Sequence, residues 1–241
     1  MNKLAVTNIG RSRYGDAWKL QQRLFDLRHH GLVGDLLLYT EHEHVYTIGK
    51  GGDENHLLAT EAELKHSGVD VHRIDRGGDI TYHGPGQIVG YPIIDLNLYF
   101  ADIHRYLRCL EEVIITALSA FGIEAVREPD FTGVWVGVEK IAAIGVKVSK
   151  WITMHGFALN VSTDLSRFER IIPCGIFHKG VTSMERILGR GVSQEDVRVE
   201  LTRAFGLVFA CTPHSLTYVD LQRHADSFEL RPSMSNAENK H

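Results

Sequence analysis

The sequence predicts a single α+β domain built on an antiparallel or mixed sheet. Three observations predict it. Amphipathic helical segments occur near the start, the middle and the end of the chain, with strand-like runs between them. The stretch 131–161 holds several such runs in series with no helical segment between, which disfavours a doubly wound parallel sheet. The 241 residues contain no linker, and one domain of that length buries a core without disulfides or metals.

The first helix is predicted from Tyr14 to His30, with Ala17, Trp18, Gln21, Leu24, Phe25 and Arg28 at helical spacing and Gly31 as its stop. A second follows Asp102 as a cap, carries Leu107, Leu110, Val113, Ile114, Ala117, Leu118 and Phe121 on one face, and ends at Gly122. A third starts at Ser193, with Asp196 three residues on as in a capping box, and shows Val197, Leu201, Ala204, Phe205 and Val208. Strands are predicted at Leu36–Thr40, Val45–Ile48, Val69–Ile74, Gly90–Ile94, Gly133–Val138, Ile141–Val148, Gly156–Val161 and Leu216–Val219. The domain is read as residues 1–225, with 226–241 a polar, aperiodic and mobile tail.

Hydrophobic content of 44% and charged content of 23% are ordinary for a soluble globular protein. A net charge of -4 gives no reason to expect nucleic acid or an anionic membrane as partner. Cys109, Cys174 and Cys211 are odd in number and widely spaced, which argues against a disulfide frame or a structural zinc site and fits a reducing cytosol. The N-terminus has no apolar signal core, and no apolar run approaches membrane-spanning length, so a cytoplasmic protein is expected.

Chemistry concentrates in four places. In R-I-I-P-C-G-I, Pro173 fixes its own φ, and Gly175 leaves room for a substrate beside Cys174. A free cysteine is more often packing than nucleophile, and this segment alone leaves both readings open. The run Arg76–Pro92 carries five glycines with Arg76, Thr81, Tyr82, His83 and Gln87. Glycine at that density costs chain entropy and suits a backbone that approaches a ligand. It matches neither phosphate loop nor dinucleotide fingerprint, so no nucleotide site is inferred. Lys140 opens a strand whose apolar neighbours would lower its pKa enough for it to act as a base, although a solvated lysine is the commoner fate of a strand end. Gly156, Phe157, Ala158 and Leu159 make either the wall of an apolar slot or a plain core strand. Glu41-His42-Glu43-His44 offers only pairs of ligands on a strand, so it is read as a solvated edge, and no metal is expected. Cys109 and Cys211 are read as packing.

Four motifs in order, R-G-G-D-I-T-Y-H-G-P-G-Q, K-I-A-A-I-G-V, H-G-F-A-L-N-V and I-P-C-G-I-F-H-K-G-V-T-S-M, resemble those of the lipoyl(octanoyl) transferases, and the likeness runs from about Leu4 to Leu207. His42-Glu43-His44 stands where the family often has proline, and Phe177-His178-Lys179 is an unusual version of the loop after the cysteine. The resemblance implies the fold of the biotin/lipoyl protein ligase superfamily, a mixed, largely antiparallel sheet flanked by helices. It implies that Cys174 is an acyl-thioester nucleophile assisted by Lys140. The segments matched to its acyl pocket are Arg76, Gly77, Gly78, Asp79, Ile80, Thr81, Tyr82 and His83, then Ala143, Ile144 and Gly145, then Gly156, Phe157 and Ala158. The donor it implies is octanoyl-acyl carrier protein. The acceptors are lipoyl domains of 2-oxoacid dehydrogenase complexes and the glycine cleavage H protein, with no cofactor. The backbone of Gly77–Gly78, or of Cys174 itself, is the expected oxyanion site. His83 competes with Lys140 as the base, and His155 is a weaker rival. An acidic carrier partner calls for a basic rim, read as Arg73, Arg76, Lys147 and Lys150. The competing readings are an ATP-dependent ligase of the same superfamily, a non-catalytic module that binds acyl carrier protein, and a thioesterase.

Overall fold

The computed structural model describes residues 1–172 and 180–228. In chain order the strands and helices begin with β1 (Asn2–Ser12), α1 (Tyr14–His29), β2 (Asp35–His42), β3 (Val45–Ile48), α2 (Glu61–His66), β4 (Asp70–Arg73), β5 (Ile80–His83) and β6 (Gln87–Ile93). They continue with α3 (Ile103–Ser119), β7 (Val126–Glu128), β8 (Phe131–Val136), β9 (Glu139–Ser149) and β10 (Ile152–Asn160). The last are α4 (Met184–Leu188), α5 (Gln194–Val208), β11 (Cys211–Ser215) and α6 (Tyr218–Asp226).

The helices follow their caps. Asp102 accepts from the Arg105 N–H at 3.0 Å and starts α3, and Ser193 accepts from the Asp196 N–H at 3.3 Å and starts α5. Each such cap is worth about 1 kcal/mol. Tyr106, Leu110, Val113, Ile114, Ala117 and Leu118 then form the buried stripe of α3. Gly31, at φ 69°, closes the end of α1 in a conformation that disfavours a side chain.

The main sheet has the order β11-β1-β2-β6-β10-β9-β8-β7. β1 pairs parallel with both β11 and β2, and every pairing from β2 onward is antiparallel. A small sheet, β4-β3-β5, is also mixed. β6 and β10 are buried along their whole length, as strands covered on both faces must be. On one face α1 and α6 pack Ala17, Leu24, Leu27, Leu221 and Ala225 against β2 and β6. On the other, α3 and α5 pack Leu110, Val113, Leu201 and Phe205. The small sheet has its own core around Tyr46, Ile48 and Tyr82. Cys109 and Cys211 lie against the α3/α5 core, and burial pushes both thiols up, Cys211 to about 11.

Two expectations are corrected here. Leu216–Val219 is not a strand: Thr217 caps α6, accepting from the Asp220 N–H at 3.1 Å, and Leu216 bonds back to β1, its N–H donating to the Val6 carbonyl and its carbonyl accepting from the Thr7 hydroxyl, both at 2.9 Å. His42 is not at a solvated edge. It ends β2, an interior strand, is fully buried, and meets the Tyr91 hydroxyl through Nε2 at 2.6 Å. Burial pushes its imidazole down to about 4, so it is a neutral core residue. Among the described residues no group of His, Cys, Asp or Glu is arranged to hold a metal. No helix among them is long and apolar enough to cross a membrane. The tail from 229 onward, and Cys174 with its neighbours 173–179, lie outside the described residues.

Candidate active site

A cavity of about 490 Å³ lies between the main sheet and the small one. One wall is the segment Arg76–Asp79 running into Ile80, Thr81 and His83 of β5. The opposite wall is Ala143, Ile144 and Gly145 of β9 with Gly156, Phe157 and Ala158 of β10, and Lys140 lines it too. Thus three motifs far apart in the chain meet at one hollow.

Glycine makes the close approach possible. A Cβ at Gly145 would stand 2.9 Å from both Arg76 Cδ and the Gly77 carbonyl oxygen. One at Gly156 would stand 2.1 Å from the Gly90 carbonyl oxygen, inside any allowed contact. The Arg76 segment is then fastened at several points. The Gly77 N–H donates to the Val146 carbonyl at 2.9 Å. Arg76 is buried, and its Nη2 donates to the Thr47 carbonyl at 2.7 Å and hydroxyl at 2.9 Å. Asp79 holds His56 Nδ1 at 2.5 Å. The bond from Gly77 removes that N–H from the proposed oxyanion donors. Arg76 is likewise no rim residue, because its guanidinium is turned inward to satisfy Thr47.

Asp75, which the sequence did not single out, ties this segment to the β9–β10 hairpin. Its carboxylate accepts from Lys147 Nζ at 2.6 Å and meets His155 Nε2 at 2.8 Å. The bond from His155, with help from Lys147, holds the Asp75 carboxyl well below the usual carboxylate range. His155 lines the cavity, is fully buried, and has φ 60°, an unusual backbone for a strand residue other than glycine. Burial still pushes its imidazole down, despite the carboxylate. His83 is more deeply perturbed. It meets Gln87 Oε1 through Nδ1 at 2.8 Å, stacks on Tyr14, and is pushed down to about 3, by burial first and by neighbouring His42 second. A neutral imidazole that resists protonation this strongly is a poor general base.

Lys140 is placed differently. It is half-buried, donates to the Thr132 carbonyl at 3.3 Å, and sits 4.8 Å over the Trp135 ring. Its backbone does a second task. Its N–H donates to the Gly180 carbonyl at 2.9 Å and its carbonyl accepts from Thr182 at 3.0 Å, a parallel bridge centred on Val181. On the other side of residues 173–179, Ile171 bridges Leu57, and Ile172 donates to the His56 carbonyl at 2.8 Å. Phe168 and Val181, which flank those residues, both line the cavity.

Tyr82 is corrected. Side chains alternate along β5, and Tyr82 faces the small-sheet core, packed on Tyr46 and Phe168 with its hydroxyl 2.7 Å from His44 Nδ1. It is not among the cavity-lining residues. Of the remaining rim candidates, Arg73 is exposed and paired with Glu54, Lys147 is held by Asp75, and Lys150 is exposed beside His29. The sequence reading missed Tyr14, Tyr91 and Asn160 as lining residues. Asn160 carried a signal, as the polar end of an apolar run. Tyr14 and Tyr91 carried none, being aromatic residues at a helix start and in an apolar strand.

A family model, the lipoyl protein ligase A/B catalytic domain, matches residues 13–206, and the chain belongs to that family. Within the family the chain falls among the octanoyltransferases. It is 53% identical to the octanoyltransferase of Rubrobacter xylanophilus over 81% of this chain and 89% of that one. It is 49% identical to that of Caldicellulosiruptor saccharolyticus (91% and 94%) and 48% to that of Christiangramia forsetii (87% and 97%). It is therefore an acyltransferase that moves an octanoyl group in protein lipoylation. The fold extends further. A bi-partite lipoate protein ligase of Thermoplasma acidophilum superposes with a TM-score of 0.70 at 17% identity, covering 94% of this chain and 92% of that one. A lipoate-protein ligase A bound with ATP gives 0.68 at 17%, covering 94% and 93%. At such identities the likeness is of fold alone.

Proposed function

We propose that octanoyl transfer runs through a thioester on Cys174, from octanoyl-acyl carrier protein to a lysine of a lipoyl domain. The observation that carries this reading is the backbone bridge from Lys140 to Gly180 and Thr182, just past the segment bearing Cys174. The same lysine side chain, with Phe168 and Val181 on either side of that segment, borders the cavity. In the first step the Cys174 thiolate attacks the thioester carbonyl, the carbon–sulfur bond to the carrier breaks, and the carrier sulfur leaves as a thiol with the proton of the Lys140 ammonium, which leaves Lys140 neutral. In the second, the lysine ε-amine attacks the acyl-cysteine, Lys140 takes its proton, and the Cys174 thiolate departs. Dividing the reaction lets two protein substrates visit in turn. A cysteine of pKa about 8.5 is mostly thiol at neutral pH, and making it half thiolate needs about 2 kcal/mol of differential stabilisation. A neighbouring ammonium supplies that, and the two groups then titrate as a pair.

The carrier donor, the lipoyl domains of 2-oxoacid dehydrogenases and of the glycine cleavage H protein as acceptors, and a cytoplasmic location belong to this proposal. The widely spaced cysteines support the last of these. Intact-protein mass spectrometry after mixing with octanoyl-acyl carrier protein, without ATP, tests the reading. One octanoyl mass should appear, be released by hydroxylamine, pass to an added lipoyl domain, and be absent from Cys174→Ser. Transfer that requires ATP and free octanoate, or full transfer by Cys174→Ser, overturns it.

A further inference from the structure

Glu111 sits on α3 at 0% exposure, among the apolar residues Leu110, Ile114 and Leu118. A carboxylate there is costly unless its oxygens are paired, and an apolar side chain of similar size commonly fills such a place at less cost. Its Oε2 meets Arg108 Nη1 at 2.8 Å and Arg127 Nε at 3.3 Å, both arginines reaching in from partly exposed positions. Its Oε1 turns the other way and accepts from the Gly133 N–H of β8 at 3.1 Å.

Gly133 lies beneath the Lys140 side chain. A Cβ on it would stand 3.3 Å from Lys140 Cε and 2.7 Å from the Ala142 carbonyl oxygen. Its φ of 134° is one that residues with a side chain rarely adopt. The neighbours of Gly133 hold the ammonium: Lys140 Nζ donates to the Thr132 carbonyl at 3.3 Å and lies 4.8 Å over the Trp135 ring. The pairing of β8 with β9 is irregular at this place. Trp135 stands opposite Lys140 and Val134 opposite Ala142, which leaves Ile141 as the extra residue of a bulge. A bulge re-aims a side chain, but it also disrupts the ladder, so its backbone needs support from elsewhere. Glu111 gives that support from α3. It does not itself line the cavity, whereas Thr132 and Lys140 do.

We infer that Glu111 is a positioning residue for Lys140: by holding the Gly133 N–H it fixes the Thr132–Trp135 segment on which the Lys140 side chain lies. The inference rests on Lys140 serving transfer as proposed above. A displacement of about 1 Å at a reacting group can cost about a hundredfold in rate, so a bond outside the cavity can matter this much. The plainer alternative is that Glu111 only fastens α3 to β8. Its loss would then weaken the fold without regard to Lys140.

A double-mutant cycle separates the two, read as kcat and KM for octanoyl transfer from octanoyl-acyl carrier protein to a lipoyl domain. Glu111→Met removes the acceptor and keeps an unbranched side chain of similar length. It should lower kcat about 10- to 100-fold and change KM for the donor less than about threefold. In a Lys140→Ala background the same substitution should cost less than about twofold, because the group it positions is gone. Glu111→Gln keeps a carbonyl oxygen for the Gly133 N–H and should recover kcat to within about threefold of wild type. Equal losses with and without Lys140, an unchanged kcat in Glu111→Met, or a glutamine variant as slow as the methionine one overturns the positioning role. If Glu111→Met does not fold, Glu111→Asp enters the same cycle, since it keeps the charge and withdraws the oxygen from Gly133 by one methylene. Full activity in Lys140→Ala refutes the reading of Lys140 itself and the inference with it. A slow Lys140→Ala beside an additive Glu111 loss overturns the inference alone.

Discussion

The protonation state of His83 decides whether it or Lys140 can serve as the base, and it is measurable without touching catalysis. Burial pushes His83 down to about 3, so the folded protein keeps it neutral at every pH of interest. In the unfolded chain the same imidazole titrates near 6.5. The sign follows from linkage: with the folded pKa depressed, the unfolded state binds the proton first. Stability is then full above about 6.5 and is lost as pH falls toward 3. Between pH 6 and pH 5 the unfolded imidazole goes from about three-quarters protonated to nearly all, and the folded one takes up almost nothing. The integral is a loss of about 1 kcal/mol from His83 alone. Other groups add to the total, so the comparison must be with His83→Gln. Urea unfolding at both pH values should show the variant losing about 1 kcal/mol less than wild type, whatever the substitution costs at either pH. Equal losses would mean that His83 titrates near its ordinary value in the folded protein. His83 would then be basic enough to compete with Lys140 for the proton.

Three further outcomes follow from the geometry. Lys140→Ala should lower single-turnover transfer to a lipoyl domain about 10²- to 10⁴-fold, the range of a lost general base, while far-UV circular dichroism stays native; a loss under tenfold would exclude that role. Gly145→Ala puts a Cβ 2.9 Å from Arg76 and from the Gly77 carbonyl, so the wall must shift, and KM for the acyl donor should rise at least tenfold in steady-state assays. Asp75→Asn weakens the contacts with Lys147 and His155; because the carboxylate is nearly a third exposed, the cost should be roughly 1 kcal/mol, or about 2–4 °C in Tm. That cost should be present above about pH 4 and shrink as pH falls below it, since the folded carboxyl is the depressed one.

How much of this was readable from the chain depended on whether the deciding interaction was local. The starts of α3 and α5 were legible because Asp102 and Ser193 carry their partners three residues away. Thr217–Asp220 offered the same signal for α6, but the apolar pair Leu216 and Val219 drew the reading toward a strand. β1 was missed because its burial does not alternate: Leu4 and Thr7 are inward in a strand that makes parallel pairs on both sides. The motifs around the cavity were visible as glycine-rich runs, yet nothing local said which side chain on β5 turned inward. Tyr82 went to the other core because it sits directly opposite Tyr46 in register. The burial of His42 depended on Tyr91, 49 residues further along, and that of Arg76 on Thr47, 29 residues back. Pairings at that range leave no periodicity to read.

The double parallel pairing of β1 also sets an order of events during synthesis. Asn2 is matched with Cys211 across 209 residues of chain. At about 5–20 residues per second, the strand that covers that side of β1 is made roughly 10 to 40 s after β1 itself. For that interval one edge of β1 offers unpaired N–H and C=O groups to any neighbouring chain. The nascent protein is therefore open to mispairing at its first strand until β11, made more than 200 residues later, ends the exposure.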